Sequence, residues 1–496
     1  MSKRPNLLFL LNDHQAHYGH GVNGVGPIHP CFDQLAAEGA LFTQNYSVTP
    51  MCGPARRSFL TGLYPHTHGQ IHNENDPPYR NEVYLDTLAE NGYRNFYYGK
   101  WHAGPGCAYD HHCDGLSQQG YGNPYNMPEY AAFCKKRGLP RAQHYVEFAF
   151  GSHIYDNNRY FKKLKTGALY QCEDFFSGEH AVGITVTPKE THESFFLANL
   201  ACEKLEELAK EDSDQPFALR VDFWGPHQPF FPTQEFADLF RPEDIQPHPS
   251  FFDDLSDKPN VLKTEASLPI GDGQNLIIPN PLDWKTWQLV MARAYGHEAM
   301  IDAAGGMIIQ KLKELGLDKD TIIIWTTDHG DALGCHGGHF DKGSHMAMEV
   351  IQTPLAVAWP GHIAPGTVCD NFTCTCDVPV TLLEAAGLHF SERVDGRSLL
   401  DTLAGRNVRD SLMLETYGHG YGTTILGRTI LKDGWKYTCT EEDLDELYDH
   451  STDPYELKNL AALPEYAEKR AELRADLRRL QKESLDPVPL ERICAD

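Results

Sequence analysis

The sequence predicts an α/β protein in which helices sandwich a large, mostly parallel β-sheet, followed by a smaller C-terminal α+β domain. Short apolar runs alternate with segments of helical periodicity along most of the chain, which is the pattern of α/β folds. A break near residues 387–410 precedes several short strand-like pieces and a final helix. We therefore expect a large domain over residues 1–390 and a small domain over residues 400–496.

The strands and helices of the large domain are predicted from the length of each segment and from the residues at its ends. Five apolar runs are short enough to be buried strands, and they cover residues 6–11, 94–98, 217–223, 321–327 and 355–359. Helices are predicted over residues 32–38 and 85–91, each followed by a glycine suited to a C-cap, and over residues 286–315. The turn-rich stretch 104–158 is expected to form surface loops.

The small domain is predicted from weaker signals. Its strand-like pieces cover residues 411–415, 424–431 and 436–439. In the helix that follows, four apolar residues fall on one face, namely Tyr466, Leu473, Leu477 and Leu480. We expect that face to pack on the strands.

Composition and charge exclude several classes of protein. The 496 residues are 41% hydrophobic and 23% charged, which allows a sizeable core and excludes general disorder. Forty-three basic residues against 69 acidic ones give a net charge of −26, which opposes general binding to nucleic acid or an anionic membrane. No apolar run approaches the length of about 18 residues that a membrane helix needs. Because the net charge is strongly negative, an anionic substrate would require a locally positive pocket.

The cysteines and the first residues bear on the cellular compartment. Thirteen cysteines is an odd number, they show no spaced framework, and the N-terminus lacks the apolar segment of a secretory signal. We therefore expect reduced thiols and a cytoplasmic protein. Cys107, His111, His112 and Cys113 resemble a zinc knuckle, but their crowding gives poor tetrahedral geometry and favours a simple loop.

Polar side chains follow four of the predicted strands. Asp13, Lys100 and His227 each come after a strand, and Asp328 and His329 together follow the fourth. Ligands bind at the carboxyl ends of strands in open α/β sheets, so these groups can converge on one crevice. Each residue alone is more readily explained as a helix cap or a solvated side chain. Polar groups at the ends of four strands, all in the same topological position, favour a common binding or catalytic site.

The segment from Pro50 to Gly62 carries the strongest local signal. Pro54 suits the first turn of a helix and Gly62 its end, which places Cys52 just before the helix N-terminus. Free N–H groups and the helix dipole stabilise negative charge there. Arg56 lies one turn further on and can reach back toward Cys52.

This Cys-x-Pro-x-Arg segment resembles the nucleophile motif of the formylglycine-dependent sulfatases, which belong to the alkaline-phosphatase-like superfamily. The resemblance extends over nearly the whole chain through motifs in the family's order: Pro5 to Asp13, Gly92 to His102, Pro226 to Phe230, Thr327 to Gly330 with Lys342, and the C-terminal pieces Glu446 to Asp449 and Asp453 to Glu456. Two positions depart from the family's pattern. His14 stands where many members have a second acidic residue, and Asn95 stands where a threonine is common.

The resemblance implies a sulfatase that hydrolyses a sulfate monoester and whose nucleophile is formylglycine, made from Cys52 by a maturation enzyme. It also implies one divalent cation held by Asp13, Cys52, Asp328 and His329, with His14 as a further candidate ligand. Family precedent favours Ca²⁺, and the ligand types also admit Mg²⁺ or Mn²⁺.

The remaining site residues are implied in the same way. Arg56 would orient the hydrated aldehyde, and His102, with Lys100 beside it, would be the base that breaks down the covalent intermediate. His227 and Lys342 would hold the sulfate oxygens, and one of them would protonate the leaving alcohol.

Two other functions compete with this interpretation. A phosphonate monoester or phosphodiester hydrolase resembles the chain in its Cys-Gly-Pro-Ala-Arg segment, although the Gly-Lys-Trp-His and Pro-His-x-Pro motifs favour a sulfatase. A catalytically dead metal-binding scaffold would lack one or more key groups, and none is missing. We expect a small sulfated substrate, with a sulfated sugar among the candidates. The natural alcohol and the oligomeric state stay open, and the loops 104–156 and 234–281 are expected to shape the substrate pocket.

Overall fold

The large domain is built on an eight-stranded sheet. The computed structural model describes residues 4–15, 26–149, 165–171, 181–211, 213–264, 271–272, 275–276, 282–343, 345–418 and 425–494. The strands in chain order are β1 Asn6–Asp13, β2 Ala40–Phe42, β3 Arg94–Lys100, β4 Cys113–Gln118, β5 Phe217–Pro226, β6 Thr321–Thr327, β7 Leu355–Ala358 and β8 Thr367–Cys369. Their order across the sheet is β8-β2-β7-β6-β1-β5-β3-β4. The five strands from β6 to β4 are parallel, and β7 runs antiparallel to both of its neighbours.

Helices cover both faces of this sheet, as the sequence predicts. The longer helices of the large domain are α1 Pro30–Glu38, α2 Cys52–Thr61, α3 Tyr84–Glu90, α4 Pro128–Arg137, α5 Glu193–Lys210, α6 Trp284–Glu314 and α7 Asp377–Ala385. Helix α8 Ala467–Ser484 belongs to the small domain. Shorter helical segments cover Pro65–His68, Gln234–Ala237, Asn260–Thr264, Cys335–Gly338, Met348–Ile351, Leu399–Leu403 and Leu490–Ile493.

The central strand β1 shows why two helical layers form. Its side chains alternate between the two faces of the sheet, so that Leu8 and Leu10 pack in one core while Leu7, Phe9 and Leu11 pack in the other. The first core includes α1, α5 and α6, and the second includes α2, α3 and α7. An unbroken apolar run in the sequence is therefore a strand buried on both faces.

The small domain is an antiparallel sheet of four strands, β9 Leu412–Thr416, β10 Gly427–Lys432, β11 Trp435–Thr440 and β12 Glu446–Asp449, in sequential order. The predicted face of α8 packs on it through Leu473 and Leu477. That core also contains Tyr46 and Val48, which precede α2. The mixed α/β class with a smaller second sheet is confirmed, and residue 424 of the predicted strand 424–431 lies outside the described residues.

The prediction of surface loops over residues 104–158 is wrong in part. This stretch contains β4, helix α4 and the strand His144–Ala149, which pairs with Leu169–Tyr170 and Ala181–Thr185. Strand β4 is at the edge of the sheet, where Asp114 is exposed, so it lacks the apolar run of a central strand. Residues 150–158, and 265–270, 273–274 and 277–281 of the second predicted loop, lie outside the described residues.

Two smaller pairs of strands complete the large domain: Asn45–Tyr46 with Thr373–Cys374, and Gly271–Asp272 with Asn275–Leu276. Within the ranges that the structure describes, no helix combines the length and apolar character needed to cross a bilayer.

The cysteines differ from expectation at one place. Cys439 of β11 and Cys494 form a disulfide, contrary to the expectation of reduced thiols, because the fold brings residues 55 positions apart to a Cα–Cα distance of 5.0 Å. The zinc-knuckle alternative finds no support: His111 stacks on Trp101, and its Nδ1 lies 3.0 Å from Asp86 Oδ2. The cytoplasmic location stays a prediction.

Candidate active site

Helix α2 places Cys52 at the carboxyl edge of the sheet. Cys52 is the first residue of the helix rather than the residue before it, and Gly62 ends the helix in the left-handed conformation. The Cys52 side chain is buried, and its Sγ lies 3.0 Å from His329 Nε2. Gly53 lies close to Gln70, since a Cβ on this glycine would be 2.7 Å from Gln70 Nε2 and would require that side chain to shift. The predicted nucleophile therefore faces the ends of the strands.

The predicted metal ligands converge at this point. Asn12 pairs with Thr327 across β1 and β6, so the next residues of both strands, Asp13 and Asp328, emerge side by side. Donor atoms of Asp13, Cys52, Asp328 and His329 all lie within 4.8 Å of one another, and all four side chains are buried. His329 Nδ1–H donates to the Gly330 carbonyl at 2.8 Å, which leaves the Nε2 lone pair facing the cluster.

The electrostatics of this cluster fit a cation. Burial and the charge of Asp328 raise the pKa of Asp13 well above its usual value. Burial acts in the same direction on Asp328, but the charges of Arg56, His329 and Lys100 together outweigh it and hold the pKa of that carboxyl well below its usual value. Asp13 Oδ1 accepts no hydrogen bond from the described residues. A divalent cation would satisfy this oxygen and compensate the repulsion between the two carboxylates.

Arg56 is held by carboxylates on two sides. Its Nε donates to Asp328 Oδ2 at 2.8 Å, and one terminal nitrogen donates to Asp222 Oδ2 at 3.0 Å and to the Lys100 carbonyl at 3.1 Å. The other terminal nitrogen lies 3.6 Å from Asp13 Oδ1 and makes no hydrogen bond to a described residue. A fully buried guanidinium is thus fixed in one orientation beside Cys52.

Lys100 ends β3 next to this arginine. Its Nζ donates to Asp13 Oδ2 at 2.5 Å and lies 4.1 Å from the centre of the Tyr121 ring. The preceding Gly99 has φ +118°, and a Cβ there would meet the Asp222 carbonyl at 1.9 Å. Glycine is therefore required for β3 to lie this close to β5.

His102 and His227 both pack edge-to-face against Tyr121. Their ring centres are 5.7 and 5.4 Å from the centre of the Tyr121 ring. Burial and the charge of Lys100 lower the pKa of His102, and burial, His14 and Lys342 lower the pKa of His227, so both imidazoles are neutral near pH 7. His227 Nδ1–H donates to the Gln228 carbonyl at 2.8 Å, which leaves Nε2 as an acceptor. His102 has a φ of +45°, a strained conformation of the kind found at functional sites.

Lys342 and His14 share Asp341. Lys342 Nζ donates to Asp341 Oδ1 at 3.1 Å. Burial lowers the pKa of Lys342, but the charges of Asp341 and Cys52 outweigh it and hold that pKa above its usual value. His14 Nε2 lies 2.9 Å from the same carboxylate oxygen, and the His14 ring contacts His227 and His329 at 4.6 and 4.7 Å between ring centres. His14 thus lies beside the four-ligand cluster and is paired with a carboxylate.

All predicted site residues come together, and three neighbours were not predicted. Asp222 lies inside a buried strand, where a lone carboxylate is itself a signal that a partner cation is near. Asp341 directly precedes Lys342, and only the folded turn shows that it holds His14. Tyr121 carries no signal in the sequence, because its stretch was expected to be a loop.

Comparison with known proteins identifies the class of this site. Residues 5–388 match the family model described as Sulfatase, and residues 334–483 match the model for the C-terminal part of N-sulphoglucosamine sulphohydrolase. The first match spans most of the chain. The protein therefore belongs to the sulfatase family and is a sulfuric ester hydrolase.

Individual relatives are distant but extend over the whole chain. A sulfatase of Formosa agariphila is 27% identical over 471 residues, which cover 92% of this chain and 83% of that protein. Phosphonate monoester hydrolase of Silicibacter pomeroyi has a TM-score of 0.75 and 21% identity, with 99% of each chain covered. A protein solved in complex with its substrate D-glucosamine-2-N,6-O-disulfate has a TM-score of 0.70 and 20% identity, with 99% of this chain and 100% of that chain covered. These structures share the alkaline-phosphatase-like fold.

Proposed function

We propose that this sulfatase hydrolyses a sulfate monoester with a formylglycine nucleophile made from Cys52 by a maturation enzyme, and with one divalent cation. The observation that carries the proposal is the convergence of Asp13, Cys52, Asp328 and His329 within 4.8 Å, next to the buried cations of Arg56, Lys100 and Lys342. A sulfate ester is a poor electrophile with negative charge, so its hydrolysis needs such a positive, water-excluding environment.

The cation would be held by Asp13, Cys52, Asp328 and His329. When bound, it would supply Lewis-acid stabilisation of negative charge on oxygen. Two carboxylates favour Ca²⁺ or Mg²⁺, and the imidazole also admits Mn²⁺. Calcium is our first choice on family precedent.

The chain's own residues then have distinct tasks. Arg56 orients the hydrated aldehyde, since it is immobilised by Asp222 and Asp328. The hydrated aldehyde carries two hydroxyls on one carbon; one attacks the sulfur and displaces the alcohol, which leaves residue 52 sulfated. His102 is neutral and takes the proton from the other hydroxyl, so that sulfate is expelled and the aldehyde regenerated. A thiol or serine has only one such group and lacks this route.

Sulfate binding and leaving-group protonation fall to Lys342 and His227. Lys342 keeps its proton and can donate hydrogen bonds to sulfate oxygens. His227 Nε2 is a bare acceptor in the present arrangement, so it donates to the leaving alcohol only after it takes up a proton. The negative charge of a bound sulfate favours that uptake. Lys342 therefore binds the sulfate as a permanently charged group, and His227 transfers the proton to the leaving alcohol.

The substrate is proposed to be a small sulfated molecule of the sulfated-sugar class. Support comes from the structural neighbour solved with D-glucosamine-2-N,6-O-disulfate, which is aligned over 99% of this chain. The phosphonate hydrolase neighbour shares the fold, so parallel initial rates on an aryl sulfate and a phenyl phosphonate should be measured. A faster sulfate reaction supports the proposal, and a faster phosphonate reaction contradicts it.

The metal assignment is tested with Asp328→Ala. We expect kcat/KM to fall by about 10²–10³-fold, because electrostatic stabilisation of this kind contributes that much. Bound metal should be lost in the same variant, while the thermal unfolding profile stays cooperative. Unchanged turnover, or wild-type activity that survives exhaustive chelation, would contradict a metal at this site.

A further inference from the structure

A second cluster of metal-ligating side chains lies away from the catalytic residues. His192 caps helix α5, Glu193 is its first residue, and His297 lies in helix α6. One donor atom of each lies within 4.8 Å of the other two. The exposed fractions are 3% for each histidine and 0% for Glu193. The three residues share no member with the set around Cys52.

Several polar atoms of this cluster lack partners among the described residues. They are Glu193 Oε2 and both ring nitrogens of His297. A buried polar atom without a partner destabilises the folded state, and does so more strongly if the group is charged. Other buried side chains among the described residues also have such atoms, so this cluster is distinguished by their meeting within one set of metal-ligating groups. A cation between them would satisfy Glu193 Oε2 and one nitrogen of His297.

The histidines are in the form that a metal requires. Burial lowers the pKa of His297 to about 3, so its imidazole is neutral and offers a lone pair. His192 Nδ1 accepts a hydrogen bond from Ser194 N at 3.3 Å, which puts the ring proton on Nε2 and the lone pair on Nδ1. That same Nδ1 lies 3.9 Å from Glu193 Oε1. Ser194 Oγ lies 3.1 Å from the same nitrogen. Binding a metal through Nδ1 would therefore replace two contacts with Ser194.

We propose that His192, Glu193 and His297 bind a second divalent ion, of the Zn²⁺ class, in a buried site separate from the Asp13 centre. Two imidazoles and one carboxylate are a ligand set that zinc uses with a fourth, non-protein ligand. Ca²⁺ and Mg²⁺ prefer oxygen ligands, so the two centres would select different metals.

The position of this site suggests a structural role. Gly225 lies against His297, since a Cβ on that glycine would be 2.9 Å from His297 Nε2. Gly225 is two residues before His227, in the strand β5 that leads to the catalytic crevice. An ion here would tie α5 and α6 together beneath that segment. Because it would bind the folded chain alone, it raises the unfolding temperature as its concentration rises.

The site is tested by metal analysis of the full chain. The protein is stripped with a chelator, dialysed against Zn²⁺ with excess Ca²⁺, and analysed for bound zinc. We expect one zinc ion per chain in the wild type and its loss in His297→Gln. The matched control is His111→Gln, which removes a buried histidine outside the cluster whose Nδ1 lies 3.0 Å from Asp86 Oδ2. That variant should keep the zinc.

Equal zinc content in the wild type and His297→Gln, or none in the wild type, would overturn the proposal. A second measurement uses only the wild type, in case His297→Gln does not fold. Anomalous diffraction at the zinc edge should show a peak between the three side chains, and the thermal unfolding midpoint should rise with Zn²⁺. A zinc-loaded crystal without that peak would show that the three side chains only pack against one another and bind no zinc. The catalytic proposal would be unaffected, since Asp13 and Asp328 belong to a different centre.

Discussion

Replacing Asp222 by asparagine tests the buried network that orients Arg56. Asp222 Oδ1 accepts from Arg220 Nε at 2.7 Å, and Oδ2 accepts from Arg220 at 2.8 Å and from Arg56 at 3.0 Å. Asparagine keeps the shape and one acceptor, but its amide nitrogen faces two guanidinium donors. Two charge-assisted hydrogen bonds are lost, and each is worth about 1.5–3 kcal/mol.

The expected loss of folding stability is therefore about 3–5 kcal/mol, the usual effect of removing one partner of a buried ion pair. It is measured as a lower midpoint of urea unfolding. Arg56 keeps its bonds to Asp328 and to the Lys100 carbonyl, so the activity of Asp222→Asn should fall less than that of Arg56→Ala. Asp114→Asn is the control, since Asp114 is exposed on the edge strand and its change should matter by less than about 0.5 kcal/mol. Equal midpoints for Asp222→Asn and the wild type would refute this account of the network.

Three further outcomes are expected. His102→Ala should accumulate a sulfated form of residue 52 that mass spectrometry detects, because the base for sulfate release is gone; multiple turnovers at the wild-type rate would remove His102 from the mechanism. Lys342→Met should raise KM for an aryl sulfate more than about tenfold, since a buried charge-assisted contact to sulfate is lost; an unchanged KM would contradict that role. Burial lowers the pKa of His66, but the hydrogen bond and charge of Glu415 outweigh it and raise that pKa above 6.5. The stability advantage of the wild type over His66→Gln should then be complete below pH 6.5 and shrink as pH rises through the raised pKa, and an advantage that grows with pH would contradict the pairing.

Much of the large sheet was predictable because its strands are buried on both faces. The runs that correspond to β1, β3, β5, β6 and β7 are apolar, so the strands are visible in the sequence. Polar residues follow all of them except β7, and these residues mark the functional ends. Strand β4 was missed, since an edge strand with one exposed face carries turn-forming residues.

The sequence predicted which residues form the site, but not which of them contact one another. Asp13, Lys100, His227 and Asp328 are at strand ends, where the fold rule places ligands. That His14 pairs with Asp341 depends on a contact between residues more than three hundred positions apart, and no local pattern encodes it. The same holds for the Cys439–Cys494 disulfide, which joins a strand to the end of the described chain.

The chemical state of Cys52 tests the central claim most directly. Peptide mass mapping of active preparations should be paired with the specific activity of each. Activity should rise in proportion to the fraction of Cys52 converted to formylglycine, and protein made without the maturation enzyme should be nearly inert. Cys52→Ser should stop after one sulfation, because a serine ester has no second hydroxyl to expel sulfate. Full activity in protein whose Cys52 is entirely unmodified would contradict the account.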